Sequence, residues 1–283
     1  MKTYNAEVFD SNRYKLAEGP YYDERFDRLS WVDILEGKLY TKSHSIKTTT
    51  NMDQMLGAAV PMENSEGFVC AAQDGLYMVN GSYKRQIVDL SEEFKAYRRA
   101  NDAKADPSGR LWFGSIVWDD KHEQGGSLYM YDGKTVKCMQ KETGLANGMA
   151  WSGDKKRFYF SDSAKHKVFV YDYDDATGDI TNMRQLCHIS VGVPDGMCID
   201  ADDNIWLAVW GGRRVEHRDG ISGELLGVIC VDAEQVSSCA FCGKNYDELI
   251  ITSAGNGVSG QFDGCLFKCR VDAVGLAPHL ARI

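Results

Sequence analysis

Short apolar and polar segments alternate along the chain in a pattern that returns six times. A small or polar residue opens an apolar strand, a turn rich in Asp, Gly or Lys follows, and a strand rich in aromatic and β-branched residues comes next. The clearest copies begin at Asn101, Asn147, Asp195 and Ser238, at intervals of 46, 48 and 43 residues. Many copies continue with another apolar strand, as in residues 75–79. Each repeat therefore holds three visible strands and room for a fourth.

Repeats of this length with four short strands are typical of a β-propeller. The first copy begins at Glu18, and the interval from Glu18 to Asn101 leaves room for one further copy, which starts at Gly57. We therefore predict an all-β chain that forms a six-bladed β-propeller, with residues 1–283 as a single domain. A large β-sandwich or a β-helix is the competing interpretation.

Four polar residues occupy the same place in their repeats: Glu18, Asn101, Asn147 and Asp195. Each lies 11 to 13 residues before the aromatic residue of the next strand, which is Trp31, Trp112, Tyr159 or Trp206. Positions that share a phase of the repeat share a height and a radius in a propeller. We therefore expect these four side chains to converge on one mouth of the central channel.

Two carboxylates and two amide oxygens are hard ligands, which suit Ca²⁺, Mg²⁺ or Mn²⁺, and Zn²⁺ with less preference. Burying two carboxylates together without a cation would be costly. Asn-Gly and Asp-Gly dipeptides also mark turns, and for one such dipeptide a turn would be the better interpretation. Four polar residues at one phase favour one divalent metal site in the central channel.

Composition narrows the range of partners. The 283 residues contain 32 Lys and Arg against 41 Asp and Glu, a net charge of −9, which disfavours nucleic acid and suits a cation or a small ligand. No apolar stretch approaches the length of a membrane span, and the first residues do not resemble a signal peptide. Nine cysteines at irregular spacings favour reduced thiols and a cytoplasmic location.

Longer motifs extend the pattern. They are Glu18-Gly19-Pro20, Arg99-Ala100-Asn101-Asp102, residues 106–115, residues 147–152, Ser161-Asp162-Ser163, residues 194–197, Trp210-Gly211-Gly212 and Thr252-Ser253-Ala254. In these motifs the chain resembles, over nearly its whole length, the family of senescence marker protein 30 (regucalcin), gluconolactonase and luciferin-regenerating enzyme. The resemblance implies a six-bladed propeller with a single divalent metal ion in the channel, and its members include sugar lactonases.

The resemblance also assigns residues. By motif, Glu18, Asn147 and Asp195 would bind the metal ion (Ca²⁺, Zn²⁺, Mn²⁺ or Mg²⁺), and the substrate would contact Arg99, Asn101 and Asp119. The implied reaction is metal-dependent hydrolysis of a small sugar lactone, with the metal as Lewis acid and Asp195 as the general base. The family often has Gly where this chain has Ala103 and Met where it has Ile116, which bears on the substrate more than on the chemistry.

Two other functions remain open at this point. The chain would be a non-catalytic propeller that binds calcium, another metal or a protein, or a related esterase that acts on a non-sugar, luciferin-like compound. We expect a monomer or a small homo-oligomer in each case. Residues 255–260 match a dinucleotide-binding glycine pattern, but an apolar strand follows them instead of a helix, so we predict a loop there.

Overall fold

The computed structural model describes residues 1–119, 121–123 and 125–283, and β-strands dominate it. Two short strands precede the first repeat, β1 (Lys2–Asn5) and β2 (Glu7–Asp10). The first four repeats comprise β3 (Ala17–Asp23), β4 (Arg28–Asp33), β5 (Lys38–Ser43), β6 (Ile46–Asn51), β7 (Leu56–Pro61), β8 (Phe68–Ala72), β9 (Gly75–Asn80), β10 (Tyr83–Asp89), β11 (Arg98–Ala105), β12 (Leu111–Val117), β13 (Gly126–Tyr131), β14 (Val136–Thr143), β15 (Ala146–Trp151), β16 (Arg157–Asp162), β17 (Lys167–Tyr173) and β18 (Ile180–His188).

The last two repeats follow the same plan, with four strands in the fifth repeat and three in the sixth. They comprise β19 (Val193–Ile199), β20 (Ile205–Trp210), β21 (Arg214–Arg218), β22 (Leu225–Cys230), β23 (Gln235–Cys242), β24 (Glu248–Ala254) and β25 (Leu266–Arg270). The described residues also contain one short helix, α1 (Ser91–Phe94), and three 3-10 turns between strands (Glu24–Phe26, Lys95–Tyr97 and Ser163–Lys165). In the described residues no helix is both long and apolar enough to cross a membrane.

The arrangement is propeller-like, but the prediction of six blades is wrong. The first four repeats form four antiparallel four-stranded blades, whereas the last two share one nine-stranded sheet. Its order is β1-β22-β21-β20-β23-β24-β25-β2, with β19 also paired to β20. The two repeats merge because Trp210 at the end of β20 pairs with Gln235 at the start of β23. Two N-terminal strands complete the sheet: β1 pairs with β22 in parallel, and β2 pairs with β25 antiparallel.

The first strands of the six repeats form a ring. β3 packs against β7, β7 against β11, β11 against β15, β15 against β19, β19 against β23, and β23 returns to β3. Glycines permit this close approach: a Cβ on Gly148 would lie 2.3 Å from the carbonyl oxygen of Asp195, and one on Gly57 would lie 2.2 Å from that of Asn101. Neighbouring first strands therefore approach too closely for a side chain at these two positions.

Every first strand also shifts its register against the second strand at the same level. The shifts are Glu18/Tyr21, Leu56/Ala58, Ala100/Ala103, Asn147/Met149, Pro194/Met197 and Val236/Ser238. A bulge leaves a residue outside the ladder and re-aims its side chain. At this level of the ring, each repeat can therefore direct a side chain differently from the alternation of a regular strand.

The cores lie between neighbouring sheets. Four aromatic residues that follow the polar positions have no exposed surface and belong to these cores: Trp31, Trp112, Tyr159 and Trp206. At the C-terminus, residues 275–282 cross the ring: Leu276 N donates to Ile199 O, and Arg282 N donates to Gly109 O. This segment covers a cavity of 60 Å³ that Lys104 and His279 help to line.

Candidate functional site

The four polar residues that share a phase all lie on the ring of first strands. Glu18 is on β3, Asn101 on β11, Asn147 on β15 and Asp195 on β19, each at or beside the register shift of its strand. All four are buried, with 5 or 6% of their surface exposed. The Asn-Gly and Asp-Gly dipeptides lie within strands, so the interpretation of these dipeptides as turns is wrong. The first strands therefore place the four polar residues at one level of the ring.

Asn101 holds Arg99. The guanidinium Nη1 of Arg99 donates to Asn101 Oδ1 at 2.8 Å and to Ala100 O at 2.9 Å. The other end of the Asn101 amide, Nδ2, donates to Ala146 O on the next first strand at 3.0 Å. Burial lowers the pKa of Arg99 to about 10, against the opposing charge of Glu18. The arginine therefore remains cationic at neutral pH, fixed beside the carboxylate of the first repeat.

Ser163 fixes the orientation of the Asn147 amide. The Ser163 hydroxyl donates to Pro194 O at 2.6 Å and accepts from Asn147 Nδ2 at 3.2 Å. Because the hydroxyl hydrogen is already committed to the carbonyl, the hydroxyl can only accept from Asn147. The nitrogen of the amide must therefore face Ser163, and Asn147 Oδ1 faces the other way.

Three carboxylates share the site. Burial and the charge of Asp102 raise the pKa of Glu18 to about 8, although the Gly19 amide donates to Glu18 Oε2 at 2.8 Å. Burial, then the charges of Glu18 and Asp102, raise the pKa of Asp195 well above its ordinary value, against an opposing hydrogen bond from the Asn147 side chain. Burial also raises the pKa of Asp102. The charge of Asp102 thus acts on the carboxyls of two other repeats, and the charge of Glu18 acts on Asp195.

Several buried polar atoms of the cluster have no hydrogen-bond partner. They are Asn147 Oδ1, Asp195 Oδ1, Asp102 Oδ2 and Arg99 Nε. A buried oxygen that loses water without gaining a partner costs about 1–3 kcal/mol, and more when it is charged. Unpartnered carboxylate and amide oxygens are the donors that hard divalent cations prefer. This donor set therefore fits a divalent cation between Glu18, Asn147 and Asp195.

The cluster does not resemble a site built from ionisable ligands alone. In the described residues, no group of three or more His, Cys, Asp or Glu side chains is arranged to hold a metal ion. The candidate set is of a different kind, because one of its three ligands is the neutral amide oxygen of Asn147. All nine cysteines belong to the described part of the chain, and none of them forms a disulfide there.

Asp119 lies in the loop after β12 and not on the ring. Its carboxylate is hydrogen-bonded to His122 Nδ1, with distances of 2.8 and 3.1 Å to its two oxygens, and this contact lowers the pKa of Asp119. The His122 ring stacks on Tyr97, with ring centroids 3.9 Å apart. Tyr97 O accepts from Trp118 N at 3.0 Å, which places the loop beside the start of β11. The substrate contact assigned to Asp119 stays a prediction.

Sequence reasoning missed two residues of this region, Ser163 and His122. Asp102 is the acidic neighbour of Asn101, and its charge acts on both Glu18 and Asp195. Ser163 stands in one of the longer motifs, yet its hydrogen bonds depend on how β15 and β19 approach each other. His122 lies three residues after Asp119, and its contact with that carboxylate depends on how the loop folds.

Comparisons with known proteins agree with this architecture. Residues 16–255 match the model of the SMP-30/Gluconolactonase/LRE-like region. Regucalcin of Danio rerio is 32% identical over 95% of this chain and 95% of its own length. The Bacillus subtilis (strain 168) protein YvrE, named as a candidate sugar lactone lactonase, is 30% identical over 94% of both chains. The crystal structure of a calcium-binding protein, regucalcin from Agrobacterium tumefaciens, superimposes with a TM-score of 0.93 at 25% identity, covering all of both chains.

A match of this extent to the family model, supported by full-length relatives and by the same chain path in a solved structure, settles the classification. The chain belongs to the SMP-30/gluconolactonase/LRE-like family.

Proposed function

We propose that this protein is a metal-dependent lactonase that opens the ester ring of a small sugar lactone. The observation that carries the proposal is the buried cluster of Glu18, Asn147 and Asp195, in which Asn147 Oδ1 and Asp195 Oδ1 have no partner and a buried arginine lies alongside. Similarity to a candidate sugar lactone lactonase supports the reaction class.

Glu18, Asn147 and Asp195 would hold the cation. Their oxygens suit Ca²⁺, Mn²⁺ or Mg²⁺, and also Zn²⁺. The similarity to a regucalcin described as calcium-binding favours Ca²⁺. A divalent cation at this cluster would act as a Lewis acid toward the lactone carbonyl and would make a bound water more acidic.

The side chains of the chain then have separate tasks. Asp195 is the candidate general base: it takes a proton from the attacking water, whose oxygen bonds to the carbonyl carbon. The ring C–O bond breaks, the ring oxygen takes up a proton to become a hydroxyl, and the product is a hydroxy acid. Arg99 offers a planar fork to a hydroxyl or to the developing oxyanion. Asn101 fixes that fork through its bond to Arg99 Nη1, and Asp119 would bind sugar hydroxyls.

The test combines metal loading with a substrate panel. Chelator-treated protein is reloaded with Ca²⁺, Mn²⁺, Zn²⁺ or Mg²⁺ and assayed with five- and six-membered aldonolactones in a pH-indicator assay. We expect acid release above the spontaneous rate only after loading. The effective cation should also stabilise the fold by about 2.7 kcal/mol at a hundredfold excess over its Kd, which thermal unfolding measures.

The other candidate functions give different results in the same experiment. A non-catalytic metal-binding protein would gain thermal stability on loading but would release no acid from any lactone. Aromatic carboxylic esters are added to the panel, and their hydrolysis would indicate a related esterase with a luciferin-like substrate. If no cation changes the unfolding temperature and no lactone is hydrolysed, the proposed function is wrong.

Ser163→Ala tests the orientation of the Asn147 amide. Without the hydroxyl, the amide loses the bond that turns Oδ1 toward the cluster, and we expect the affinity for the effective cation to fall about tenfold, as for other residues that orient metal ligands. Ser161→Ala is the matched control, since the Ser161 hydroxyl is buried on the same segment without a partner. Calorimetric titration measures the cation affinity of both variants. Equal affinities would show that Ser163 does not orient the Asn147 ligand.

A further inference from the structure

Lys104 spans the ring beneath the carboxylate cluster. It lies on β11, two residues beyond Asp102. Its ammonium donates a hydrogen bond to Met197 O on β19, two residues beyond Asp195. The side chain therefore connects the third repeat to the fifth and passes the fourth.

The buried carboxylates near this lysine outnumber the buried arginine beside them. Glu18, Asp102 and Asp195 are three buried carboxylates, and Arg99 is a buried cation beside them. Asp102 is not one of the proposed metal ligands, and its Oδ2 is buried without a partner. The charge of Lys104 acts on both Glu18 and Asp102, opposing the effect of burial on their pKa values. Lys104 is thus a fixed positive charge at the floor of the cluster.

We propose that Lys104 is the counter-cation that sets how tightly this cluster binds its divalent cation. The inference rests on the metal site of the proposed function. A fixed ammonium repels any cation that enters the cluster, and because the carboxylates are buried and Lys104 is half-buried, water and salt screen this repulsion less than at the surface. The lysine stabilises the metal-free fold by compensating the carboxylates, and it weakens metal binding for the same reason.

The experiment compares Lys104→Met with Lys104→Arg. The first variant removes the charge and keeps an unbranched apolar stem, whereas the second keeps the charge. We expect Lys104→Met to bind Ca²⁺ at least about tenfold more tightly than the wild type in calorimetric titration, and Lys104→Arg to bind as the wild type does. Lys244→Met, at an exposed turn position, is the control and should change nothing.

A second titration separates charge from structure. Electrostatic repulsion scales with the charge of the bound ion, so the gain of Lys104→Met should be larger for Tb³⁺ than for Ca²⁺. A merely structural role of the Met197 contact predicts no such dependence. In chelator, Lys104→Met should unfold at a lower temperature than Lys104→Arg, and saturating Ca²⁺ should narrow the difference. Lys104→Gln serves the same purpose if the methionine variant does not fold.

The outcomes distinguish this inference from the proposed function. If Lys104→Met binds Ca²⁺ no more tightly than the wild type while the wild type hydrolyses lactones, the role of Lys104 is wrong and the function stands. If the wild type binds no divalent or trivalent cation, both are wrong. If Lys104→Met binds more tightly but no variant hydrolyses a lactone, the role of Lys104 stands and the reaction does not.

Discussion

Asp195→Asn is expected to lower kcat/KM for lactone hydrolysis by about a thousandfold, within the range for loss of a general base. The substitution keeps the size of the side chain but removes its ability to take a proton from water. The rate is measured with each metal-loaded form at saturating cation, in the same pH-indicator assay that identifies the substrate.

The same variant should be more stable than the wild type when no metal is bound. Burial and the charges of Glu18 and Asp102 raise the pKa of Asp195. A carboxylate whose pKa is raised in the fold contributes stability at low pH and loses it as the pH rises above the unfolded value of about 3.9. At pH 8 in chelator, a neutral asparagine should therefore raise the unfolding temperature. Lost activity together with raised stability cannot come from misfolding.

Asp202→Asn is the matched control for this prediction. Asp202 is an exposed carboxylate in the turn that follows β19, seven residues beyond Asp195. Its replacement makes the same chemical change outside the cluster, so activity should stay within about twofold and stability within about 0.5 kcal/mol. Retention of more than a tenth of the wild-type kcat/KM by Asp195→Asn would exclude Asp195 as the base.

Asp106→Ala is expected to destabilise the fold by about 3–5 kcal/mol, the cost of leaving a buried ionic partner unpaired. Asp106 is fully buried. Its Oδ2 accepts from Trp112 Nε1 at 3.0 Å, Tyr173 OH at 2.7 Å and Arg110 Nε at 2.6 Å, and its Oδ1 accepts from two backbone amides. Alanine leaves all five donors without an acceptor between the third and fourth repeats.

Denaturation in urea measures this loss against Asp132→Ala. Asp132 accepts two backbone amide hydrogen bonds in a turn of the same repeat, but it is exposed. Water can satisfy the amides that it leaves, so its replacement should cost at most about 1 kcal/mol. If the free energy of unfolding fell by similar amounts in the two variants, burial would not explain the contribution of Asp106 to stability.

Much of the architecture could be predicted from the sequence, because it depends on the local pattern of polar and apolar residues. A polar residue recurs before an aromatic strand in the sequence, and the structure fully buries the aromatic residues Trp31 and Trp206. The same recurrence placed Glu18 and Asp195 at one level of a ring. The all-β composition and the predicted loop at residues 255–260 follow from the same kind of reasoning, and the structure has both.

The remaining features depend on contacts between repeats, which no periodic pattern reports. The nine-stranded sheet arises from one pair, Trp210 with Gln235, at the junction of two repeats. The glycine of Asn147-Gly148 reads locally as a turn residue, but it is needed because the backbone of Asp195 passes 2.3 Å from the position of its missing Cβ. Ser163 and Lys104 act through carbonyl oxygens of a distant strand, and a backbone carbonyl has no sequence signature.

The completion of the nine-stranded sheet by β1 has a consequence for the order in which the chain folds. β1 pairs with β22, and Lys2 lies opposite Gly227. Each of the four-stranded blades pairs consecutive segments, so it can form while synthesis continues. β1 emerges from the ribosome long before β22 and must wait for it, and a contact of such long sequence separation is slow to form. We expect this pairing, like that of β2 with β25, to form after the four blades, and the exposed edge of β22 to be the surface that a chaperone meets on the nascent chain.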